Sequence, residues 1–593
     1  MNTSGATPLP GGSFLINDLG PMEVFTPEDF SDEQKMIAET TLTFIAQELM
    51  PRLEAFEHQE EGLSPMLLRK AGELGLLSVD VPEHFGGMGL DKVSSLLFSE
   101  NIAGVASFAT AVGAHASIGT LPLVFFGSDA LKTRYLPRMA TAELICAYAL
   151  TEPNAGSDAL AGKTNAVTSA DGQSYTLTGT KMWITNAGFA DLFTVFARVD
   201  GDRNKFTAFL VERGWPGVSV GAEERKMGIK GSSTRVLNLD SVVVPASNII
   251  GEVGQGAKIA LNILNIGRFK LGASTCGGSK VGIRAAAKYA NERIAFGAPI
   301  ASFGLVQQML ADMAVSIYVQ ESMIYRTAGM LDASLSEVDP ADGATILKRI
   351  EEYSVECSIN KVFCSENCDR DADRCVQIHG GYGYSAEYPA ERFYRDARIN
   401  RIFEGTNEIN RMVIVGQLVR RAMKGALPLM GAAQEVTVEV LGEQEVGGYP
   451  VLEGAEGVFI SRMKKLALFT AGAAIQKYMN TLADQQMVMG CLADIIIETY
   501  AAESALLRTM KRMFAGSSGD LELDLTRVFL NESLERVASS ARQVFTTLAQ
   551  DAALKAQLQA VDRLTRHLPI NSIAARERIA KRVSEAGEYP LNY

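Results

Sequence analysis

Apolar residues recur at helical spacing from about residue 28 to residue 147, as in DEQKMIAETTLTFIAQELM. This pattern predicts an N-terminal helical domain without a sheet. Over 148–255 the period shortens to two. YTLTGTKMWITN, LFTVFARVD, KFTAFLVE and TRVLNLDSVVV are rich in alternating β-formers, and Asp171-Gly172 and Asp200-Gly201 mark hairpin-type turns. These segments predict a β-barrel middle domain. Helical spacing returns over 256–427, with runs as long as VQQMLADMAVSIYVQESMIYRTAGML, and predicts a helix bundle. Composition shifts to Gly, Glu and Val over 428–457, which reads as a linker, and a further helical domain is expected over 458–593. Residues 1–27 read as an N-terminal tail. The fold class is mainly α with a β-barrel in the middle.

A chain of 593 residues exceeds a single core and implies about three to five domains. Its 47% hydrophobic and 21% charged residues are the balance of a globular protein. The net charge of -13 argues against nucleic acid as a partner, so any polyanionic ligand needs a local basic site. No apolar run is expected to reach the ~20 residues of a membrane span. MNTSGATPLPGGSFLIND lacks the basic and apolar regions of a signal peptide. Seven cysteines make no disulfide framework and fit reduced thiols in a cytoplasmic protein.

Several motifs are decoys. GSDALAGKT has one residue too many for a phosphate loop, and GEVGQG reverses the dinucleotide-binding spacing and lacks a βαβ unit. Cys357, Cys364, Cys368 and Cys375 fall near one helical stripe, without the close pairs of structural zinc sites, and read as core. The five histidines form no zinc pattern, so no metal is expected.

Three segments are harder to explain as packing. AYALTEPNAGSD (147–158) crowds turn residues at the junction of helical and β regions, where backbone N–H groups and hydroxyls can meet a polar ligand. The plainer reading is a boundary loop. KMWITNAG (181–188) sets Trp183 beside Thr185 at a strand end, either as a platform for a flat ring or as a core tryptophan. In YRDARINRIFEGTNEINR, Glu404 lies between Phe403 and Gly405. Burial there would raise its pKa toward that of a useful base. The alternative is a helix-start acid with Thr406 as cap.

In their order and spacing from about residue 30 to 425, AYALTEPNAGSD, QIHGGYGYSAEYPAERFYRDARI and RIFEGTNEI resemble the acyl-CoA dehydrogenase family. The resemblance implies an N-terminal helical domain, a β-barrel and a four-helix bundle, with FAD bound in a homodimer or larger homo-oligomer. It implies α,β-dehydrogenation of a fatty acyl-CoA to trans-2-enoyl-CoA in fatty acid β-oxidation, with electrons passing to an electron-transfer flavoprotein. Tyr148, Leu150, Thr151, Gly156, Ser157, Trp183, Ile184 and Thr185 match positions around the isoalloxazine. Arg293 and Phe296, with Gln377, Gly380 and Gly381, match positions that hold the adenylate half across a dimer interface. Thr406 and Glu408 follow the base and face the flavin. Ser157, Arg268 and Gly405 match the substrate side. Thr110 and Ala114 replace larger polar residues that floor the acyl pocket of medium-chain relatives, which implies a long-chain substrate. Glu404 matches one of the family's two base positions; the other falls on Gly267, which cannot serve. GAHASIG (113–119) and the extension beyond residue 430 resemble the very-long-chain subgroup. An acyl-CoA oxidase and a scaffold or assembly protein on the same fold are the alternatives. For the C-terminal helices, such as SRMKKLALFTAGAAIQKYM, peripheral membrane contact stands beside packing on the core.

Overall fold

The computed structural model describes residues 9–339, 342–442 and 449–591. Its first helices start at side-chain caps. Ser31 accepts the Gln34 N–H at 3.2 Å to open Asp32–Phe44, and Asp91 accepts the Ser94 N–H at 2.7 Å to open Lys92–Ile102. Each cap satisfies a donor that the first helical turn leaves unpaired. Helical residues then run from Ala106–Val112 through π-type turns at Gly113–Gly119 to Leu121–Phe126. The stretch Ala106–Phe126, 21 residues, is long and apolar enough to cross a bilayer, contrary to the sequence expectation. Its most apolar window is 72% buried inside the protein, where packing already removes its apolar surface from water.

The middle region holds β1 (Cys146–Ala149), β2 (Asn165–Thr168), β3 (Ser174–Thr185), β4 (Leu192–Val199), β5 (Phe206–Glu212), β6 (Val218–Glu223), β7 (Thr234–Pro245) and β8 (Ile249–Ile250). They pair in the order β6-β7-β3-β2-β4-β5-β8, with β1 joined to β4 in parallel. The sheet is mixed and open, which corrects the expected barrel: β6 and β8 end the pairing path. Alternation reports which strand face is buried, not whether a sheet closes. Here Leu192 and Phe196 of β4 enter the core shared with the helices, while Phe193, Val195 and Ala197 enter the sheet's own core. Packing on both faces covers the central strands without closure.

Gly256–Glu292, Gly304–Leu335, Ser354–His379 and Asn407–Met423 form the four-helix bundle. The flanking segments depart from the sequence reading. Within the 1–27 stretch read as a tail, residues from Leu9 onward pack into the protein; residues 1–8 lie outside the described residues. Phe14 meets Tyr500 at 4.8 Å between ring centroids, and the Gly12 N–H donates to Glu356 at 2.6 Å. The 428–457 linker contains the helix Leu429–Gly442, while residues 443–448 lie outside the described residues. The later helices Glu456–Tyr478, Gln486–Phe514 and Asp520–Leu548 share one continuous core with the bundle. SRMKKLALFTAGAAIQKYM packs inward through Met463, Leu466 and Phe469.

Buried ion pairs fasten these parts together. Arg508, fully buried, pairs with Glu321 of the bundle at 2.9 Å and with Glu28 of the N-terminal segment at 3.1 Å. Arg508→Met should destabilise the protein by about 1.5–3 kcal/mol, because it takes a buried charged partner from both Glu321 and Glu28, while Lys280 and Tyr589 still hold the Glu321 carboxylate. A urea midpoint equal to that of the wild type would contradict this.

Candidate active site

Glu404 and Gly405 turn in the left-handed region, with φ of +57° and +81°. For a glutamate this conformation costs about 1–2 kcal/mol, so the surroundings must impose it. The Glu404 carbonyl accepts from Arg268 Nε at 3.1 Å and from Asn410 Nδ2 at 3.4 Å. The Gly405 carbonyl accepts from Lys361 Nζ at 2.7 Å and from Asn410 Nδ2 at 2.8 Å. Thr406 caps the next helix by accepting the Ile409 N–H at 3.3 Å. Both readings of this segment therefore hold, on different residues: Thr406 caps, and Glu404 carries the buried carboxyl. Glu408 is exposed in the first turn that follows.

The Glu404 Oε2 atom is buried without a hydrogen-bond partner among the described residues. Burial raises its pKa from 4.5 to about 7, against the opposing pull of Arg268 and Lys361. The Tyr148 hydroxyl, also buried and unpartnered, faces it; burial first and the Glu404 charge second push the phenol well above its usual range. A side chain at Gly267 would collide with the base, since its Cβ would lie 2.5 Å from Glu404 Oε2. Glu404 and Gly267 head a cleft of about 220 Å³. Phe98, Thr110, Ala114, Thr185, Leu271 and Phe393 are among its walls. Along the helix Gly256–Glu292 the lining recurs at Gly267, Leu271, Ser274, Gly278, Gly282 and Ala285. At about 1.5 Å per residue this wall runs about 27 Å. The predicted base, acyl-pocket residues and Thr185 are thus brought to one cavity, with Arg268 and Gly405 behind the base.

The turn after β1 and the end of β3 are fastened to each other. Lys181 is fully buried and pairs with Glu152 at 2.7 Å, while its Nζ donates to the Leu150 carbonyl at 3.2 Å. The Met182 N–H donates to the Thr151 carbonyl at 2.9 Å. A register shift between Lys181 and Ile184 follows, and it turns Trp183 outward with φ +57° and 59% exposure. The core-tryptophan reading is therefore set aside. Trp183 is an exposed platform beside Thr185, while Ile184 is buried beneath it. Gly156 and Ser157 stand exposed on the adjoining turn.

The remaining predicted residues form a separate surface. Phe296 is 98% exposed with φ +51°, and the Arg293 guanidinium lies 5.6 Å from the Tyr382 ring centroid. Gln377, Gly380 and Gly381 are exposed next to them, and a Cβ at either glycine would meet nothing within 4 Å. Arg293 is 26 residues along the helix from Gly267, or about 39 Å. The two groups therefore sit well apart, toward opposite ends of that helix.

Lys361 and Asn410 were missed by sequence reasoning. Asn410 has no local signature. Lys361 does leave a trace: it is a lone cation in a helical run, Ser354–Ser365, that is buried at every position.

A raised carboxyl at the head of a long apolar cleft, beside an exposed aromatic platform, defines a site for removing a proton from an apolar substrate next to a flat cofactor. Models of the acyl-CoA dehydrogenase N-terminal, middle and C-terminal domains match residues 31–143, 147–242 and 254–419, and a second acyl-CoA dehydrogenase C-terminal domain model matches 462–563. A probable acyl-CoA dehydrogenase of Bacillus subtilis is 48% identical over 587 residues, 98% of each chain. The mitochondrial very long-chain specific acyl-CoA dehydrogenase of Homo sapiens is 36% identical over 474 residues, 75% of this chain and 70% of that one. The crystal structure of a Bacillus anthracis acyl-CoA dehydrogenase complexed with FAD superposes with a TM-score of 0.95 at 47% identity, covering 98% of this chain and 100% of that chain. The chain belongs to the acyl-CoA dehydrogenase family and is an oxidoreductase of that class.

Proposed function

We propose that the chain binds FAD and converts long-chain fatty acyl-CoA to trans-2-enoyl-CoA in β-oxidation. It works as a homodimer that passes electrons to an electron-transfer flavoprotein. The observation that carries this reading is the Glu404 carboxyl, raised to about 7 and unpartnered at the head of the cleft. Only its carboxylate form accepts a proton, and a pKa near the working pH keeps that form populated yet basic. The residues present fit the cofactor. Trp183 offers a flat face, Thr185 and Ile184 edge it, and the turn from Tyr148 to Ser157 offers hydroxyls and backbone groups. FAD, when bound, supplies the acceptor for the hydride leaving the β-carbon.

Glu404 takes the α-proton. Its backbone carbonyl is tied behind the loop by Arg268 and Asn410, and its N–H serves the thioester carbonyl, stabilising the developing enolate charge. The apolar walls align the acyl chain and exclude water. Support for a dimer comes from the exposed group of Arg293 and Phe296, which one chain leaves about 39 Å from its own base. Seven free thiols support a cytoplasmic location.

The purified protein should be yellow and should bleach on mixing with acyl-CoA. A colourless protein that takes up no FAD would overturn the reading. Rapid reoxidation by electron-transfer flavoprotein and slow reoxidation in air are expected; the reverse would indicate an oxidase. Chain length follows from the depth of the cleft, since each buried methylene adds about 0.8 kcal/mol. Palmitoyl-CoA should exceed butyryl-CoA by about tenfold or more in kcat/KM. Ala114 is 5% exposed on the cleft wall, so Ala114→Glu should shorten the preferred chain. An unchanged profile in that variant, or a wild-type optimum at butyryl-CoA, would refute the long-chain assignment.

A further inference from the structure

We propose that Lys361 is a positioning residue for proton abstraction: its ammonium holds the Glu404–Gly405 turn in its left-handed shape and tunes the base from behind. The inference rests on Glu404 as the base. Lys361 projects from the buried face of the helix Ser354–His379 and reaches two elements of the loop at once. It donates to the Gly405 carbonyl at 2.7 Å and to Asn407 Oδ1 at 2.6 Å. Asn407 is held in turn by Ser365 Oγ at 3.1 Å and Glu366 Oε1 at 3.1 Å, and Glu366 pairs with Arg411 at 2.7 Å. The lysine therefore ties the residue just after the base to the first residue of the following helix.

The chemistry of the arrangement is specific. Arg268 and Asn410 fasten the Glu404 carbonyl, and Lys361 and Asn410 fasten that of Gly405. With these carbonyls turned away from the cleft, the Glu404 side chain and N–H are left for the substrate. A neutral amide could make one of these bonds, but only a cation also stabilises the carboxylate form of Glu404. The charged groups facing Lys361 are Glu404 on the loop, Arg268 on the Gly256–Glu292 helix, Glu366 on its own helix and Glu408 on the following one. Burial lowers the lysine from 10.5 to about 7, with Arg268 adding to the fall and Glu404, Glu366 and Glu408 opposing it. The base and its support therefore titrate in the same range.

The test is the rate of flavin reduction by saturating palmitoyl-CoA in a single turnover, from pH 5.5 to 9, for the flavin-loaded wild type, Lys361→Met and Lys361→Arg. Removing the cation should raise the Glu404 pKa. In Lys361→Met the acid limb should therefore move to higher pH, and the loss should be about tenfold or more at pH 6 and smaller at pH 9. Palmitoyl-CoA affinity should change little, so the defect appears in kcat rather than KM. Lys361→Arg, which keeps charge and donors, should return most of the rate and bring the acid limb back to at least the wild-type position. If Lys361→Met fails to retain flavin, Lys361→Gln replaces it, since it is equally uncharged and keeps a donor for the Gly405 carbonyl. A loss of equal size at every pH, or a wild-type rate in the uncharged variant, would overturn the proposal. A wild type that no acyl-CoA reduces would instead overturn the functional reading beneath it.

Discussion

Glu404→Gln should reduce the rate of flavin bleaching by acyl-CoA by about 10³–10⁴-fold, the upper part of the range for removal of a general base. Flavin content and acyl-CoA affinity should stay close to the wild type. Glutamine keeps the shape of the side chain and cannot accept the proton. The backbone of the loop is held by Arg268, Lys361 and Asn410, none of which touches the replaced carboxyl. Of the other carboxylates on the cleft wall, Asp396 accepts the Ile229 N–H at 2.5 Å and Glu57 accepts the Gly231 N–H at 3.3 Å through one oxygen, and among the three it is Glu404 that lies against Gly267. The pH profile supplies an independent check. Wild-type reduction should rise with pH through about 7, as the buried Glu404 loses its proton, and the residual rate of the glutamine variant should lack that limb. A variant that bleaches at close to the wild-type rate would place the base elsewhere.

Gly267→Ala should cost about 10²-fold in the same assay while leaving the fold equally stable or more stable. The added Cβ would stand 2.5 Å from Glu404 Oε2 and 2.7 Å from its Cδ. With the backbone of the loop fastened, the carboxyl must swing aside, and a displacement of about 1 Å costs about 10²-fold. The helix itself gains, because alanine in a helix interior is favoured over glycine by about 0.8–1.0 kcal/mol. Activity and melting temperature should therefore move in opposite directions, which separates this effect from misfolding. Full activity in Gly267→Ala would show that the base does not occupy the space beside that glycine. The same crowding dictates how the base can be moved. Gly267→Glu paired with Glu404→Gln would force two side chains into room for one. Paired with Glu404→Gly it frees that room and puts glycine where φ is +57°. Partial recovery in the second pair is the expected outcome.

The order of helical, β and helical regions was legible in the chain because each has its own hydrophobic period. Glu404, Trp183 and the turn from Tyr148 to Ser157 stood out as candidates because their residue types sit awkwardly as packing, and it was the family resemblance that implied their roles. The open edge of the sheet was not legible, since alternation along a strand carries no record of where the sheet ends. The packing of Phe14 against Tyr500 was not legible either, because short turns have no period and their burial depends on a partner far along the chain. The same limit applies at the site. The sequence alone names a glutamate beside a glycine. That Glu404 is raised to about 7, that Gly267 leaves room for it and that Lys361 braces its loop depend on three segments meeting in space. Desolvation and charge act over ångströms of distance, not over positions in a chain.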